Sequence, residues 1–209
     1  VNSLDSSVWG IKKINADDVW ALGFEGQGIV VGGQDTGYGW QVPGIKDKYR
    51  GWDGSTADHN YSWHDAIHDW HPLHADSTNP CGLDVAYPCD DNGHGTHTVG
   101  TMVASDSIVN FGVAPSAQWI GCRNMERGWG SPQSYIECFE WFLAPTDLND
   151  QNADPRPPPL VERCQWQIRQ ASKEIRMLLR HVTVDILRNG VGKFFWCVAA
   201  LLQRLTDVI

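Results

Sequence analysis

The 209-residue chain is long enough for one domain with a sizeable core, and 42% hydrophobic residues, 20% charged residues, 21 Gly and 11 Trp exclude a disordered or fibrous chain. The formal net charge of −9 speaks against the basic face that phosphate contacts need, so no nucleic-acid partner is expected. No apolar run approaches the ~20 residues that span a bilayer, and no membrane partner is expected.

The chain begins without Met or a leader-like apolar segment, which predicts a removed leader or an internal fragment. Ala16 to Leu22 predicts a short helix ending at Gly23. A Gly26-Gln27-Gly28 turn then leads into Ile29-Val30-Val31, a β-branched run that predicts a buried strand. The run ends at Gln34-Asp35-Thr36-Gly37, placing a carboxylate at the carboxyl end of a strand, where open α/β sheets build their sites.

A loop-rich stretch follows, with His64, His68, His71 and His74 among Asp65, Asp69 and Asp76. His64 and His68 stand at i, i+4, which raises a metal site as one reading. Pro72 and Pro80 make the stretch loop-like and its ligand set open, so a polar surface loop is favoured and no metal ligand is assigned.

Asp90-Asp91-Asn92-Gly93-His94-Gly95-Thr96-His97 then leads into Thr98 to Ala104. Asn92 is placed to cap a helix starting close to His94, and the small residues of its first turns allow another backbone to pack closely. Ala117 to Met125 predicts a second strand. Ser131-Pro132 opens a helix whose Tyr135, Cys138, Phe139 and Phe142 recur at i, i+3, i+4 and i+7. Strand and helix alternate, which predicts an α/β domain with a parallel sheet and helices on both faces.

The character changes near residue 150. Residues 1–150 carry 20 acidic and 7 basic side chains, residues 151–209 carry 5 and 9, and only Gly190 and Gly192 of the 21 glycines lie in the second part. Pro155, Pro157, Pro158 and Pro159 between them favour extended polyproline backbone. The domain organisation is therefore 1–154, a Pro-rich junction at 155–159, and a divergent tail over 160–209. Ile168, Ala171, Ile175, Leu178, Val182 and Ile186 align along one face of the tail, predicting a surface helix.

Six cysteines, Cys81, Cys89, Cys122, Cys138, Cys164 and Cys197, can pair in an oxidising compartment or remain buried thiols. Cys81 with Cys89, closing a short loop, is the favoured pair, and pairs involving the last two are the least favoured.

A hydroxyl nucleophile is weak until a neighbouring His takes its proton, and that His works best when a buried carboxylate fixes its tautomer. Asp35, in Asp35-Thr36-Gly37, and His94, in His94-Gly95-Thr96-His97 before a small-residue helix, are the candidates. His97, three residues along, is expected to serve local packing; Asp90 and Asp91 either stiffen the loop or tune His94 electrostatically, or sit in a solvated loop, which is favoured.

Together with Trp9-Gly10-Ile11, Gly26-Gln27-Gly28 and Gly112-Val113-Ala114-Pro115, these motifs resemble the subtilase family over residues 1 to about 150. Tyr49-Arg50-Gly51-Trp52-Asp53-Gly54 and Ile120-Gly121-Cys122-Arg123-Asn124-Met125 resemble its secreted bacterial bacillopeptidase-type members. The resemblance implies a partial subtilisin-like three-layer domain. It also implies hydrolysis of protein or peptide substrates through a Ser-His-Asp triad with Asp35 and His94 as members, and work outside the cytoplasm. The family requires no organic cofactor. Calcium is its frequent companion, and no ligands are assigned to it here.

Two departures from the family pattern stand out. No Ser lies in a Gly-Thr-Ser-Met-Ala-like context, and no Asn-Ser-Trp-Gly-like strand or oxyanion Asn appears between residues 151 and 209. An interruption of the reading frame or gene near Pro157 is therefore expected, leaving a peptidase remnant without a nucleophile. The alternatives are a catalytically dead binding or inhibitory module and a His-rich metal-binding protein, and the oligomeric state is open.

Overall fold

The computed structural model describes residues 9–72, 78–107 and 110–154, together with the backbone of 160–162. The helical pattern over residues 168–186, the Pro-rich junction, His74, Asp76, Cys164 and Cys197 lie outside the described residues.

Helix α1 (Trp9–Lys13) and helix α2 (Ala16–Ala21) open the fold. Helix α2 ends one residue before Leu22 as its C-cap, and Gly23 follows at φ +88°, the left-handed conformation that a glycine adopts without a Cβ penalty. Strand β1 (Val30–Asp35), strand β2 (Trp63–Asp65), helix α3 (His94–Val103), strand β3 (Gln118–Arg123), helix α4 (Pro132–Leu143) and strand β4 (Leu160–Glu162) follow. A short 3-10 turn, Lys46–Lys48, lies between β1 and β2.

The strands form one sheet in the order β2-β3-β1-β4, with every ladder parallel. In register, Val31 lies opposite Trp119 and Gln34 opposite Cys122. Because side chains alternate along a strand, Val31 and Trp119 share one face, and Ile120 and Cys122 take the other. Val99, Met102 and Val103 of α3 pack on the first face with Tyr38 and Tyr49. Cys138, Trp141 and Phe142 of α4 pack on the second. Helices thus cover both faces, giving the three layers expected of the sequence.

Two glycines in the middle of β1 let aromatic rings approach from either face. A Cβ on Gly32 would stand 2.9 Å from the Phe142 ring, and one on Gly33 would collide with the Tyr38 hydroxyl. The strand trades side-chain packing of its own for ring packing from either side.

Helix α4 starts where Ser131-Pro132 predicts. Ser131 Oγ accepts from the Ser134 amide at 3.1 Å, and Ser134 Oγ accepts from the Ser131 amide at 3.0 Å, a reciprocal cap with Ser in the position that Glu or Gln often fills. A Cys122–Cys138 disulfide ties this helix to β3, and a Cys81–Cys89 disulfide closes the loop before α3. The second is the favoured sequence pair. The first joins residues for which spacing offers no preference.

A buried ionic cluster holds the carboxyl ends of the strands. Arg123, fully buried at the end of β3, donates to Asp65 at 3.2 Å, to Asp91 at 2.7 Å and to the Gly82 carbonyl at 2.9 Å. Asp91, also buried, accepts in addition from the Asn79 amide nitrogen and the Arg127 backbone. The expectation of a solvated loop at Asp91 is corrected here: two turns and a strand meet on its carboxylate.

Candidate active site

Strand β1 delivers Asp35 and the first turn of α3 delivers His94, so two segments distant in sequence meet at one end of the sheet. His94 Nδ1 lies 2.7 and 2.9 Å from the two Asp35 carboxylate oxygens. Asp35 is only 1% exposed and also accepts from the Thr36 amide at 2.7 Å and from the Thr98 hydroxyl at 3.1 Å. Four donor contacts fix a buried carboxylate in place, as burial of charge requires.

With its proton on Nδ1, held by Asp35, the imidazole keeps a basic lone pair on Nε2. The His94 side chain is 42% exposed, and among the described residues none hydrogen-bonds Nε2. This nitrogen is free to exchange a proton with an incoming group.

The turn that presents His94 is built on Asp90. One Asp90 oxygen accepts from the Thr36 hydroxyl at 2.8 Å and from the Asn92 and Gly93 amides at 3.1 and 2.8 Å. The other accepts from the Thr96 amide at 2.9 Å and from the Thr96 hydroxyl at 2.5 Å. The helix cap is therefore not Asn92, as the sequence suggests. Gly93 occupies the cap at φ +87° with no side-chain bond, and Asp90 reaches in from outside the helix to satisfy the first-turn amides.

Gly37 and Gly95 permit the close approach of strand end and helix start. A Cβ on Gly95 would collide with the Gly37 carbonyl and stand 3.0 Å from the Asp35 Cβ, and one on Gly37 would collide with the Cys89 carbonyl. The small residues in both motifs thus have a steric reason. His97 is exposed.

The histidines of the loop behave differently from a ligand cluster of their own. His64, on β2, and His68, just beyond it, turn to α4, where both Nε2 atoms lie 2.8 Å from the same oxygen of Glu137. His68 Nδ1 meets Asp84 at 2.5 Å, and His64 Nδ1 lies 3.4 Å from Asp150. Burial lowers the His68 pKa, but the Asp84 and Glu137 carboxylates outweigh it and push it up to about 9. Asp65 points away to Arg123, and the His71 ring lies tilted against Trp129, centroids 5.4 Å apart. The contribution of Glu137 and Asp84 is invisible to local sequence patterns, because neither belongs to the His-rich segment.

Two of the acidic loops among the described residues are closed on themselves. Asp53 spends both carboxylate oxygens on Ser55 and Thr56, and Asp147 on Asn149, Gln151 and Asn152. Each of these loops is closed by its own donors. Among the described residues no group of three or more His, Cys, Asp or Glu stands open around an ion. Nor, among them, is any helix long and apolar enough to cross a membrane.

A family model described as "Subtilase family" matches residues 26–154, well over half of the chain and including both Asp35 and His94. The chain is 34% identical over 171 residues to bacillopeptidase F of Bacillus subtilis (strain 168), covering 79% of this chain and 11% of that protein. It is 33% identical over 135 residues to the major intracellular serine protease of the same organism, covering 64% and 34%. The minor extracellular protease Vpr, again from Bacillus subtilis, is 32% identical over 115 residues, covering 55% and 12%. The chain thus spans at most about a third of the length of these relatives. A crystal structure of a cold adapted subtilisin-like serine proteinase superposes with a TM-score of 0.43 at 20% identity, covering 77% of this chain and 44% of the other.

Proposed function

The chain belongs to the subtilase family, and on that premise we propose that it carries the base and its orienting carboxylate for peptide-bond hydrolysis, His94 and Asp35 respectively. The observation that carries the reading is the double contact of His94 Nδ1 with a buried Asp35 carboxylate, at 2.7 and 2.9 Å. In this role His94 Nε2 takes the proton of an attacking Ser hydroxyl and Asp35 steadies the imidazolium that forms. The imidazolium then gives its proton to the leaving amine as the acyl-enzyme forms, and the cycle repeats with water.

The 209 residues by themselves do not turn over substrate in this reading, because no Ser stands in a nucleophile context among them. An interruption of the reading frame near Pro157 accounts for the charge reversal and the loss of family motifs beyond it. Sequencing the coding DNA past residue 140 in all frames tests this: an Asn-Ser-Trp-Gly-like strand in another frame is the expected result, and no such strand in any frame overturns it. The two disulfides support work in an oxidising compartment, outside the cytoplasm.

Catalytic roles are tested in a chimera, with residues from 155 onward replaced by the corresponding segment of a subtilase that carries the Ser motif. The chimera is expected to cleave a peptide substrate. Asp35→Asn is expected to lower kcat about 10⁴-fold, by the loss that follows when the base holds the wrong tautomer. Hydrolysis indifferent to Asp35→Asn and His94→Ala overturns the assignment, and hydrolysis by the unmodified 209-residue chain overturns its inactivity.

A further inference from the structure

We propose that His68 is an alkali-sensitive clasp: as a cation it ties the loop closed by Cys81–Cys89 to helix α4, and loss of its proton undoes one of the two ties. The device joins three segments distant in sequence, the end of β2, the disulfide loop and α4, and lies apart from Asp35 and His94.

The charge follows from geometry. His68 Nδ1 lies 2.5 Å from Asp84 Oδ1, and Nε2 lies 2.8 Å from Glu137 Oε1. An ionised carboxylate only accepts, so both contacts are hydrogen bonds only when both ring nitrogens carry protons, which is the imidazolium. A neutral ring has one proton and turns a lone pair toward the other carboxylate. Burial lowers the His68 pKa, and the hydrogen bonds to Asp84 and Glu137 more than reverse it, from the ordinary 6.5 up to about 9. His64, on β2, faces the same Glu137 oxygen from its own Nε2 at 2.8 Å, and its Nδ1 lies 3.4 Å from Asp150. Of the two histidines, only His68 has a carboxylate within 3 Å of both nitrogens.

The loop that carries Asp84 braces the carboxyl end of the sheet. Its Gly82 carbonyl accepts from Arg123 at 2.9 Å, its Val85 amide donates to Asp65 at 2.8 Å, and its Val85 carbonyl accepts from the Trp63 indole at 2.7 Å. At its far end the Cys89 carbonyl accepts from the Tyr38 amide at 3.2 Å, three residues past Asp35. Those bonds do not involve His68, so the release is local to the exposed stretch around Asp84 and Ala86. Because the folded pKa lies above the ordinary one, the clasp is complete below about pH 6.5, weakens between about 6.5 and 9, and is gone above about 9. The His68 side chain is 43% exposed, and solvent screens its charge. The clasp therefore changes the local opening equilibrium about 10-fold, well short of the roughly 300-fold that the whole pKa shift would give.

Two measurements on the full chain test the clasp. Long-range ¹H–¹⁵N NMR is expected to show the His68 ring protonated on both nitrogens at neutral pH and losing one proton near pH 9. A transition at or below about 6.5, the ordinary value, overturns the proposal whether or not any variant folds. The second measurement is nicking by pancreatic elastase, which cuts after small residues, at the exposed Ala86, read by mass spectrometry after reduction. His68→Gln keeps a donor toward Glu137 and loses the one toward Asp84, so it mimics the deprotonated clasp at every pH. It is expected to be nicked about 10-fold faster than the parent near pH 6.5 and at the parent's rate above about pH 9.5, a ratio that cancels the protease's own pH dependence. His64→Gln, which keeps a donor toward Glu137, is expected to retain the parent's pH response. Far-UV circular dichroism checks that both variants are folded. A ratio of one at every pH overturns the proposal. So does a pH response that vanishes with His64→Gln and persists in His68→Gln, or cleavage of His68→Gln that rises at every site together, the mark of global unfolding.

Discussion

Asp90 never touches Asp35, yet the geometry of the Asp35–His94 pair depends on it. Its five accepted hydrogen bonds join the Thr36 hydroxyl at the end of β1 to the first turn of α3. Hydrogen bonds to a charged acceptor contribute about 1.5–3 kcal/mol each when removed singly, and those sharing one carboxylate are not additive. Asp90→Ala is therefore expected to cost about 3 kcal/mol in urea denaturation, and Asp90→Asn, which keeps one acceptor oxygen, about half as much. NMR of the His94 Nδ1 proton is expected to show its hydrogen-bonded signal weakened in both. That Asp35 and His94 stand out in the sequence has a local cause, since each sits in a short motif whose glycines allow close backbone approach. A loop-stiffening Asp90 was one of the readings its motif allowed, but its partner Thr36, 54 positions away, was not legible. Glu137, 73 positions from His64, was out of reach for the same reason.

Elements with a clear pattern or a glycine stop announced themselves, the short helix α2 among them, and strand β2 and helix α1 did not. A β-branched run bounded by Gly predicts β1, and Ser131-Pro132 with a helical apolar stripe predicts α4, both within a residue or two of the structure. Strand β2 has only Trp63, His64 and Asp65, with no apolar run, and forms because β3 offers it a partner edge. Helix α1, five residues long, is likewise a product of context rather than pattern. Helix α4 depends on its tie to the sheet: Cys122–Cys138 closes a segment of 16 residues. Loop-closure entropy for that length is worth about 3 kcal/mol. Replacing both cysteines by Ser is expected to lower unfolding free energy by roughly that amount, read as a lower urea midpoint with little change in m-value.

At the scale of the molecule, the sheet brings every functional group to its carboxyl end, where β1 ends in Asp35 and β3 in Arg123. The alternation of strand and helix along the sequence foretold this layering, but the strand order β2-β3-β1-β4 follows from tertiary packing alone. That order has a kinetic side. Val30 pairs with Gln118, Trp63 with Gly121 and Val31 with Leu160, so each ladder joins residues more than about 50 positions apart, and no tight hairpin is available to nucleate the sheet. The entropy of closing such long loops must be met before any ladder rewards it. The disulfides shorten those loops only slightly, since they close segments of 8 and 16 residues within them. Refolding of the oxidised chain, followed by tryptophan fluorescence, is therefore expected to take milliseconds to seconds or longer rather than microseconds. During that interval the apolar β1 strand lacks its neighbours, and the time spent in this state sets how readily copies of the chain associate before they fold.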